Sequence, residues 1–241
     1  MCCIKLGDAH SKLFKPSKGV RQGCVLSPIL FNIFLSDLPQ VLEDCGCNLE
    51  LGKQELSCLL WADDILIFSN SAVGLQIKLD RLASFCALNK LIVNTDQGKT
   101  ESMIFNKTGR LIRHQFTYSG ENISQSRDYK YLGFLVTPSG EIRSGLEDLR
   151  VRAFKALFKI KRTLGVFFHK NIKNTIQLYN SMVKPILHYL SDFWGCLKMP
   201  RNNPIEKLHN QFCRMLLGVQ KQTHVQGCLL ELGVNSHYAS G

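Results

Sequence analysis

The stretch Leu59-Leu60-Trp61-Ala62-Asp63-Asp64-Ile65-Leu66-Ile67-Phe68 decides how the rest of the chain reads. Two adjacent carboxylates stand between short apolar runs rich in strand-favouring residues, which predicts a β-hairpin with its acids at the turn. A buried pair of like charges is costly, so the acids must be solvated, paired or bound to a cation. Alone, the dipeptide is compatible with a plain solvated Asp-Asp turn. The other reading is a divalent-metal site, because Mg²⁺ takes hard oxygen ligands, commonly one or two carboxylates together with substrate phosphates.

Upstream lies Gly19-Val20-Arg21-Gln22-Gly23-Cys24-Val25-Leu26-Ser27-Pro28. Its two glycines bracket Arg21 and Gln22, so backbone can approach a ligand closely while two polar side chains point at it. Ser27 followed by Pro28 reads as an N-cap and a first helical position. Leu30, Ile33, Phe34 and Leu38 recur at helical spacing and are expected to face a core. Pro39 is expected to end or bend that helix. Residues 43–57 read as polar and turn-like.

Downstream, Leu75, Leu79, Leu82 and Cys86 mark an amphipathic helix from about residue 72 to residue 89. Ile92-Val93-Asn94 and Met103-Ile104-Phe105 are short strand candidates. Residues 129–136 form a further apolar strand region, closed by the turn Pro138-Ser139-Gly140. Beyond Gly140 the texture becomes helical. Ile142, Leu146, Leu149, Ala153, Leu157, Ile160 and Leu164 trace one helix face. Arg143, Arg150, Arg152, Lys155, Lys159, Lys161 and Arg162 occupy the others, against only Glu147 and Asp148. Ile176, Tyr179, Val183, Ile186 and Leu190 mark a second helix, kinked at Pro185. Ile205, Leu208, Phe212 and Leu216 mark a third. The expected class is α+β, with a mixed part over 1–140 and an all-helical part over 141–241.

Lys and Arg total 30 against 19 acids, a formal charge of +11. That excess favours polyanionic partners, nucleic acid first and an anionic membrane surface second. A hydrophobic content of 45% and a mean hydropathy of -0.03 argue against wholesale disorder. No apolar run reaches transmembrane length and the N-terminus has no apolar leader core, so no membrane partner is expected. The 10 cysteines are scattered, without paired Cys-x-x-Cys units or zinc-finger spacing. A reduced intracellular setting, nucleus or cytoplasm, follows as the expectation.

In this order the motifs resemble the palm and thumb of the reverse transcriptases of LINE-type (non-LTR) retrotransposons. The Gly-Val-Arg-Gln-Gly loop precedes a Ser-Pro helix. An aromatic-Ala-Asp-Asp hairpin follows, then a helix leading to Asn94 and Lys99-Thr100, then Tyr131-Leu132-Gly133 and a basic helical end. The resemblance implies a partial polymerase palm, an antiparallel sheet with packed helices, followed by an all-helical thumb. It implies that Asp63 and Asp64 bind Mg²⁺ or Mn²⁺ and that Lys99 assists the pyrophosphate leaving group. It sets Gly19, Arg21, Gln22, Gly23 and Trp61 against template and incoming deoxynucleotide, and Tyr131 and Gly133 against the primer end. Arg150, Arg152, Lys155, Lys159 and Arg162 would lie along the duplex of RNA template and DNA primer. In the implied chemistry a primer 3′-hydroxyl attacks the α-phosphate while two metal ions clamp the attacking and leaving oxygens.

Three features depart from the family pattern. Trp61 stands where the family has Tyr or Phe. Asn94 and Lys99 are about two residues further apart than the pattern has them. Asp8 is the sole Asp before Gly19, and Leu6-Gly7-Asp8-Ala9-His10 does not resemble the motif that carries the family's other metal-binding Asp. The fingers and the first catalytic strand are therefore expected to be missing, and metal to be held only when that upstream Asp is supplied. The chain alone is expected to be inactive; the alternative is a non-catalytic nucleic-acid-binding remnant.

Overall fold

The acids do sit at a hairpin turn. Cys58–Trp61 and Asp64–Ile67 pair antiparallel with Trp61 opposite Asp64, which leaves Ala62-Asp63 as a two-residue turn. The computed structural model describes residues 3–14, 19–21, 23–96, 98–197 and 203–235. Its elements begin with β1 (Lys5–Leu6), β2 (Ala9–His10), α1 (Ser27–Phe34), α2 (Leu38–Glu43), β3 (Leu49–Leu51), β4 (Gln54–Leu56), β5 (Cys58–Trp61), β6 (Asp64–Ile67) and α3 (Ala72–Leu88). They continue with β7 (Glu101–Ser102), β8 (Phe116–Tyr118), β9 (Glu121–Gln125), β10 (Tyr129–Tyr131) and β11 (Phe134–Val136). The helices α4 (Ile142–Leu164), α5 (Phe167–Lys170), α6 (Ile172–Met182), α7 (Lys184–Leu187), α8 (Ser191–Trp194), α9 (Pro204–Leu217) and α10 (Val225–Leu232) complete the set. The mixture is α+β, as the sequence predicts. Contacts divide it into two units, one of Met1–Thr100 with His114–Ser124 and one of Glu101–Arg113 with Gln125–Gly241.

In the first unit, α3 matches its expected span to within a residue. The Ser71 hydroxyl caps it by accepting from the Gly74 N–H at 3.1 Å, satisfying one of the donors a helix start leaves over. Leu79, Leu82, Phe85 and Cys86 are buried along one face, and α2 packs against it through Leu38 and Leu42. A Cβ on Gly74 would stand 2.3 Å from the Cβ of Cys47, so only glycine lets the helix start come this close. The β8–β9 hairpin buries Phe116, Tyr118 and Ile123. Gln76 fastens it to α3: its amide donates to the Thr117 carbonyl at 2.9 Å and accepts from the Thr117 N–H at 3.0 Å.

Several local expectations are corrected here. Leu26, not Ser27, is the N-cap of α1; Ser27 is its first helical residue and its hydroxyl donates backwards to the Arg21 carbonyl at 2.6 Å. Leu38 is buried, but Leu30, Ile33 and Phe34 are 53%, 64% and 45% exposed. Periodicity tells which residues share a helix face, not whether another element covers that face. Pro39 lies in the first turn of α2, where its missing N–H costs nothing, so it starts a helix instead of ending one. Residues 43–57 contain the β3–β4 hairpin, turning at Gly52-Lys53. Residues 92–94 and 103–105 form no strand, and Ile92 is 96% exposed; strand propensity needs a neighbouring edge and a covered face to act.

In the second unit, α4 buries Leu146, Leu149, Ala153, Leu157 and Ile160, the face the sequence predicts. Ile205, Leu208, Phe212 and Leu216 of α9 meet it, with Phe168 of α5, Tyr179 of α6, Val183 of the α6–α7 junction and Leu187 of α7. The second expected helix is broken: α6 stops at Met182 and α7 starts at Lys184, with Pro185 in its first turn. The β10–β11 hairpin packs on α4, where a Cβ on Gly145 would fall 2.2 Å from the Phe134 ring. By contacts that hairpin groups with the helices of the second unit, while the texture of the sequence changes at Gly140. Among the described residues no helix is long and apolar enough to cross a membrane.

Candidate active site

The β5–β6 turn carries its acids on a backbone that glycine would adopt more readily. Ala62 has a φ of 52°, the positive range that two-residue hairpin turns usually fill with glycine. Asp63 and Asp64 are exposed, and neither has a salt-bridge partner among the described residues. Trp61, opposite Asp64 across the ladder, is 64% exposed. Solvated carboxylates beside an open aromatic side chain make a surface that a cation and a planar ligand can both reach.

The base of this hairpin is tied down by a residue that sequence reasoning missed. Lys78 of α3 has no exposed surface. Its ammonium donates to Asn48 Oδ1 at 2.7 Å, Ser57 Oγ at 2.9 Å and the Phe68 carbonyl at 2.7 Å. All three of its donors are thus used, as a buried ammonium requires. Ser57 precedes β5 and Phe68 follows β6; the Phe68 N–H donates to the Ser57 carbonyl at 2.8 Å. Asn48 passes the linkage on to Glu55 Oε2 at 2.8 Å and to the Glu43 carbonyl at 3.2 Å. Burial lowers the pKa of Lys78, opposed by the nearby Cys45, Cys47 and Cys58 thiols and by Glu43. A signal was present in the sequence: Lys78 falls on the same stripe as Leu75, Leu79 and Leu82, where a charge needs an explanation.

Gly19 and Gly23 have φ of 87° and 77°, and the Arg21 carbonyl accepts from the Cys24 N–H at 3.2 Å as well as from Ser27. Gly19, Arg21 and Gly23 are exposed; Gln22 lies outside the described residues. Lys99 is exposed; its N–H donates to the Asp96 carbonyl at 3.0 Å, and the Thr100 hydroxyl donates to the Asn94 carbonyl at 2.7 Å.

In the second unit the structure joins two groups of candidates that the sequence kept apart. Tyr131 ends β10, and Leu132 and Gly133 have φ of 45° and 79°, the pair of positive values that makes a tight hairpin turn. The Gly133 carbonyl accepts from Arg152 Nη2 at 2.7 Å, and the Leu132 carbonyl accepts from the Tyr189 hydroxyl. Arg152 also lies 2.9 Å from Asp148 Oδ2, while Asp148 Oδ1 takes Lys130 at 3.2 Å. Arg152 is therefore engaged with the turn. Arg150 donates through Nε to Glu147 Oε1 at 2.8 Å, and this bond holds the Glu147 carboxyl below its ordinary range. Lys155, Lys159 and Arg162 are exposed on one face, with Phe158, 57% exposed, among them.

Asp63 and Asp64 could supply the one or two carboxylates that a protein typically gives a Mg²⁺ ion. Among the described residues no group of three His, Cys, Asp or Glu side chains converges. The described side chains thus fit a share of one ion's shell and do not make a complete two-metal centre.

A profile described as reverse transcriptase (RNA-dependent DNA polymerase) matches residues 3–136, more than half of the 241-residue chain. The chain belongs to the reverse transcriptase family. It is 30% identical over 144 residues to the Pol polyprotein of the type-2 retrotransposable element R2DM of Drosophila melanogaster, covering 57% of this chain and 14% of that protein. It is 27% identical over 206 residues to the RNA-directed DNA polymerase of the mobile element jockey of Drosophila funebris, covering 83% of this chain and 22% of the relative. With the probable RNA-directed DNA polymerase of transposon BS of Drosophila melanogaster it shares 26% over 227 residues, or 91% and 24% of the two. These relatives are polymerases of non-LTR elements, so the reverse transcriptase sequence here is of the LINE type. The chain spans less than a quarter of the length of each of these three relatives. The reverse transcriptase match encloses Gly19, Arg21, Gly23 and Lys99, the Asp63-Asp64 hairpin and the Tyr131–Gly133 turn; the basic face of α4 lies beyond it.

Proposed function

We propose that this chain is the palm-and-thumb portion of a retrotransposon reverse transcriptase, palm over 1–140 and thumb over 141–241. In that reading it holds template-primer duplex but does not extend a primer by itself. The observation that carries the reading is the Asp63-Asp64 turn, exposed and anchored from beneath by Lys78, inside the stretch the family profile matches. Asp63 and Asp64 would hold Mg²⁺ or Mn²⁺, which when bound stabilises charge on the reacting phosphate oxygens. Gly19, Arg21, Gln22, Gly23 and Trp61 would bound the space for template base and incoming deoxynucleotide. Lys99 would bring a positive charge to the leaving pyrophosphate. Tyr131 and Gly133 would bear on the primer end, their turn stiffened by Arg152 and Tyr189. Lys155, Lys159 and Arg162 would take the phosphates of an RNA template and DNA primer. Nucleus or cytoplasm is the setting such partners imply.

Inactivity in isolation is supported by the want of a third carboxylate beside Asp63 and Asp64 among the described residues. A primer-extension assay with template, primer, deoxynucleotides and Mg²⁺ tests this together with binding. Duplex binding that weakens as salt rises, without extension, is the expected result. Extension by the chain alone that disappears in Asp63→Ala overturns the incomplete-site reading; binding that ignores salt overturns the nucleic-acid reading.

A further inference from the structure

Within the second unit a cleft of about 540 Å³ is lined by Gly109, Arg110 and Leu111, by Arg127, by Thr137, Pro138 and Ser139, and by Ser144 of α4. Its lining includes two arginines and three hydroxyls and no carboxylate. Arg110 and Arg127 are exposed, and neither guanidinium has an ion-pair partner among the described residues. That sets them apart from Arg150 and Arg152 of the same unit, each beside its own acid. The nearest acids in sequence, Asp128 and Glu141, are not part of the lining.

Hydrogen bonds tie the walls to one another. The Asn106 N–H donates to the Pro138 carbonyl at 2.9 Å and its side-chain amide to the Arg110 carbonyl at 2.7 Å. Gly109 has a φ of 64°, and a Cβ there would lie 3.0 Å from the Cβ of Ser139, so the two walls meet as closely as glycine permits. Thr137 Oγ1 lies 3.1 Å from Ser139 Oγ, which accepts the Glu141 N–H at 3.3 Å. The 23-residue helix α4 starts at Ile142, with Glu141 at its N-cap making no side-chain cap bond and Ser144 in its first turn.

We propose that this cleft binds a phosphate group. A guanidinium fork presents paired donors that match two oxygens of a phosphate, and the hydroxyls of the lining can serve the others. The ligand is either a backbone phosphodiester of bound nucleic acid or a free polyphosphate such as that of a nucleotide. No role implied by the family resemblance falls on these residues, and the site stands on its own chemistry.

The test follows the backbone amides of Gly109, Ser139 and Ser144 by NMR in the full chain, titrated separately with tripolyphosphate and with a short RNA–DNA duplex. Saturable shifts of these amides with either probe, lost in Arg110→Gln/Arg127→Gln at unchanged melting temperature, are expected. Response to duplex identifies a backbone phosphate, and the double variant then binds duplex with a salt slope reduced by about 2. Response to tripolyphosphate alone identifies a free polyphosphate. Amides that stay still with both probes overturn the site whatever the variant does, as do shifts that persist in the double variant. Lys155→Ala/Lys159→Ala separates this outcome from the functional reading above, because it weakens duplex binding and leaves the tripolyphosphate response intact.

Discussion

Lys78 Nζ and the Phe68 carbonyl oxygen lie 2.7 Å apart, so a buried ammonium on α3 fixes the strand end that follows the two acids. Lys78→Met keeps most of the side-chain volume but strands Asn48 Oδ1, Ser57 Oγ and the Phe68 carbonyl without their donor. Losing charge-assisted bonds to buried acceptors costs roughly 2–4 kcal/mol. Urea denaturation of the two proteins reads this directly. A variant as stable as the parent would mean that the ammonium is not what holds the hairpin base.

Two glycines in helices are expected to respond with opposite signs. Gly74→Ala drives a methyl group toward Cys47 and should destabilise by about 1–3 kcal/mol, as overpacking does. Gly227, in α10, has nothing within 4 Å of an added Cβ and no positive φ. Gly227→Ala should therefore stabilise by about 0.5–1 kcal/mol through helix propensity and a less free unfolded chain. Melting temperatures measured side by side decide both.

The Leu132-Gly133 turn should loosen when either of its two clamps is removed. Arg152→Ala deletes the bond to the Gly133 carbonyl and leaves Asp148 with Lys130 alone, a loss of about 1–3 kcal/mol. Tyr189→Phe removes only the bond to the Leu132 carbonyl and should lose about 0.5–1.5 kcal/mol. Hydrogen exchange at Leu132, Gly133 and Phe134 should quicken in both, and more in Arg152→Ala.

Arginines that look alike in sequence should differ in what they do to duplex binding. Lys155→Ala, Lys159→Ala and Arg162→Ala should each lower the salt slope by about 1 if each meets a phosphate. Arg150 spends its guanidinium on Glu147, so Arg150→Ala should change that slope little. Equal effects from all four would show that the Glu147 pairing opens on binding.

Acid should destabilise the second unit through His209. Its Nε2 lies 3.1 Å from the Asn235 carbonyl, which can only accept, so Nε2 carries the proton and Nδ1 accepts from the Tyr179 hydroxyl at 3.1 Å. Burial pulls its pKa down from 6.5 to about 4. Because the folded value is lower, the unfolded chain binds the extra proton. Stability is therefore full above pH 6.5 and falls as pH drops toward 4, by roughly 3 kcal/mol in all. Burial lowers His188 as well and adds the same sign. His209→Gln should flatten most of the dependence between pH 6.5 and 5 in urea melts; an unchanged slope would move the effect to another group.

Much of this molecule was legible from residue order. The Asp63-Asp64 hairpin, the span of α3, the buried face of α4 and that of α9 follow from alternation, 3.6-residue periodicity and capping chemistry, all short-range properties of a chain. The order of motifs placed it among LINE-type reverse transcriptases. What tertiary structure alone decided is where side chains found partners. It buried Lys78 beneath the hairpin, turned Arg152 toward the Gly133 carbonyl, paired Arg150 with Glu147 and left Lys155 and Lys159 to solvent. It also left the apolar side of α1 open, where periodicity had called for a core. Those outcomes depend on which distant segment arrives opposite each side chain, and a hydrogen bond or buried contact reaches only a few ångströms from where the fold brings its two ends.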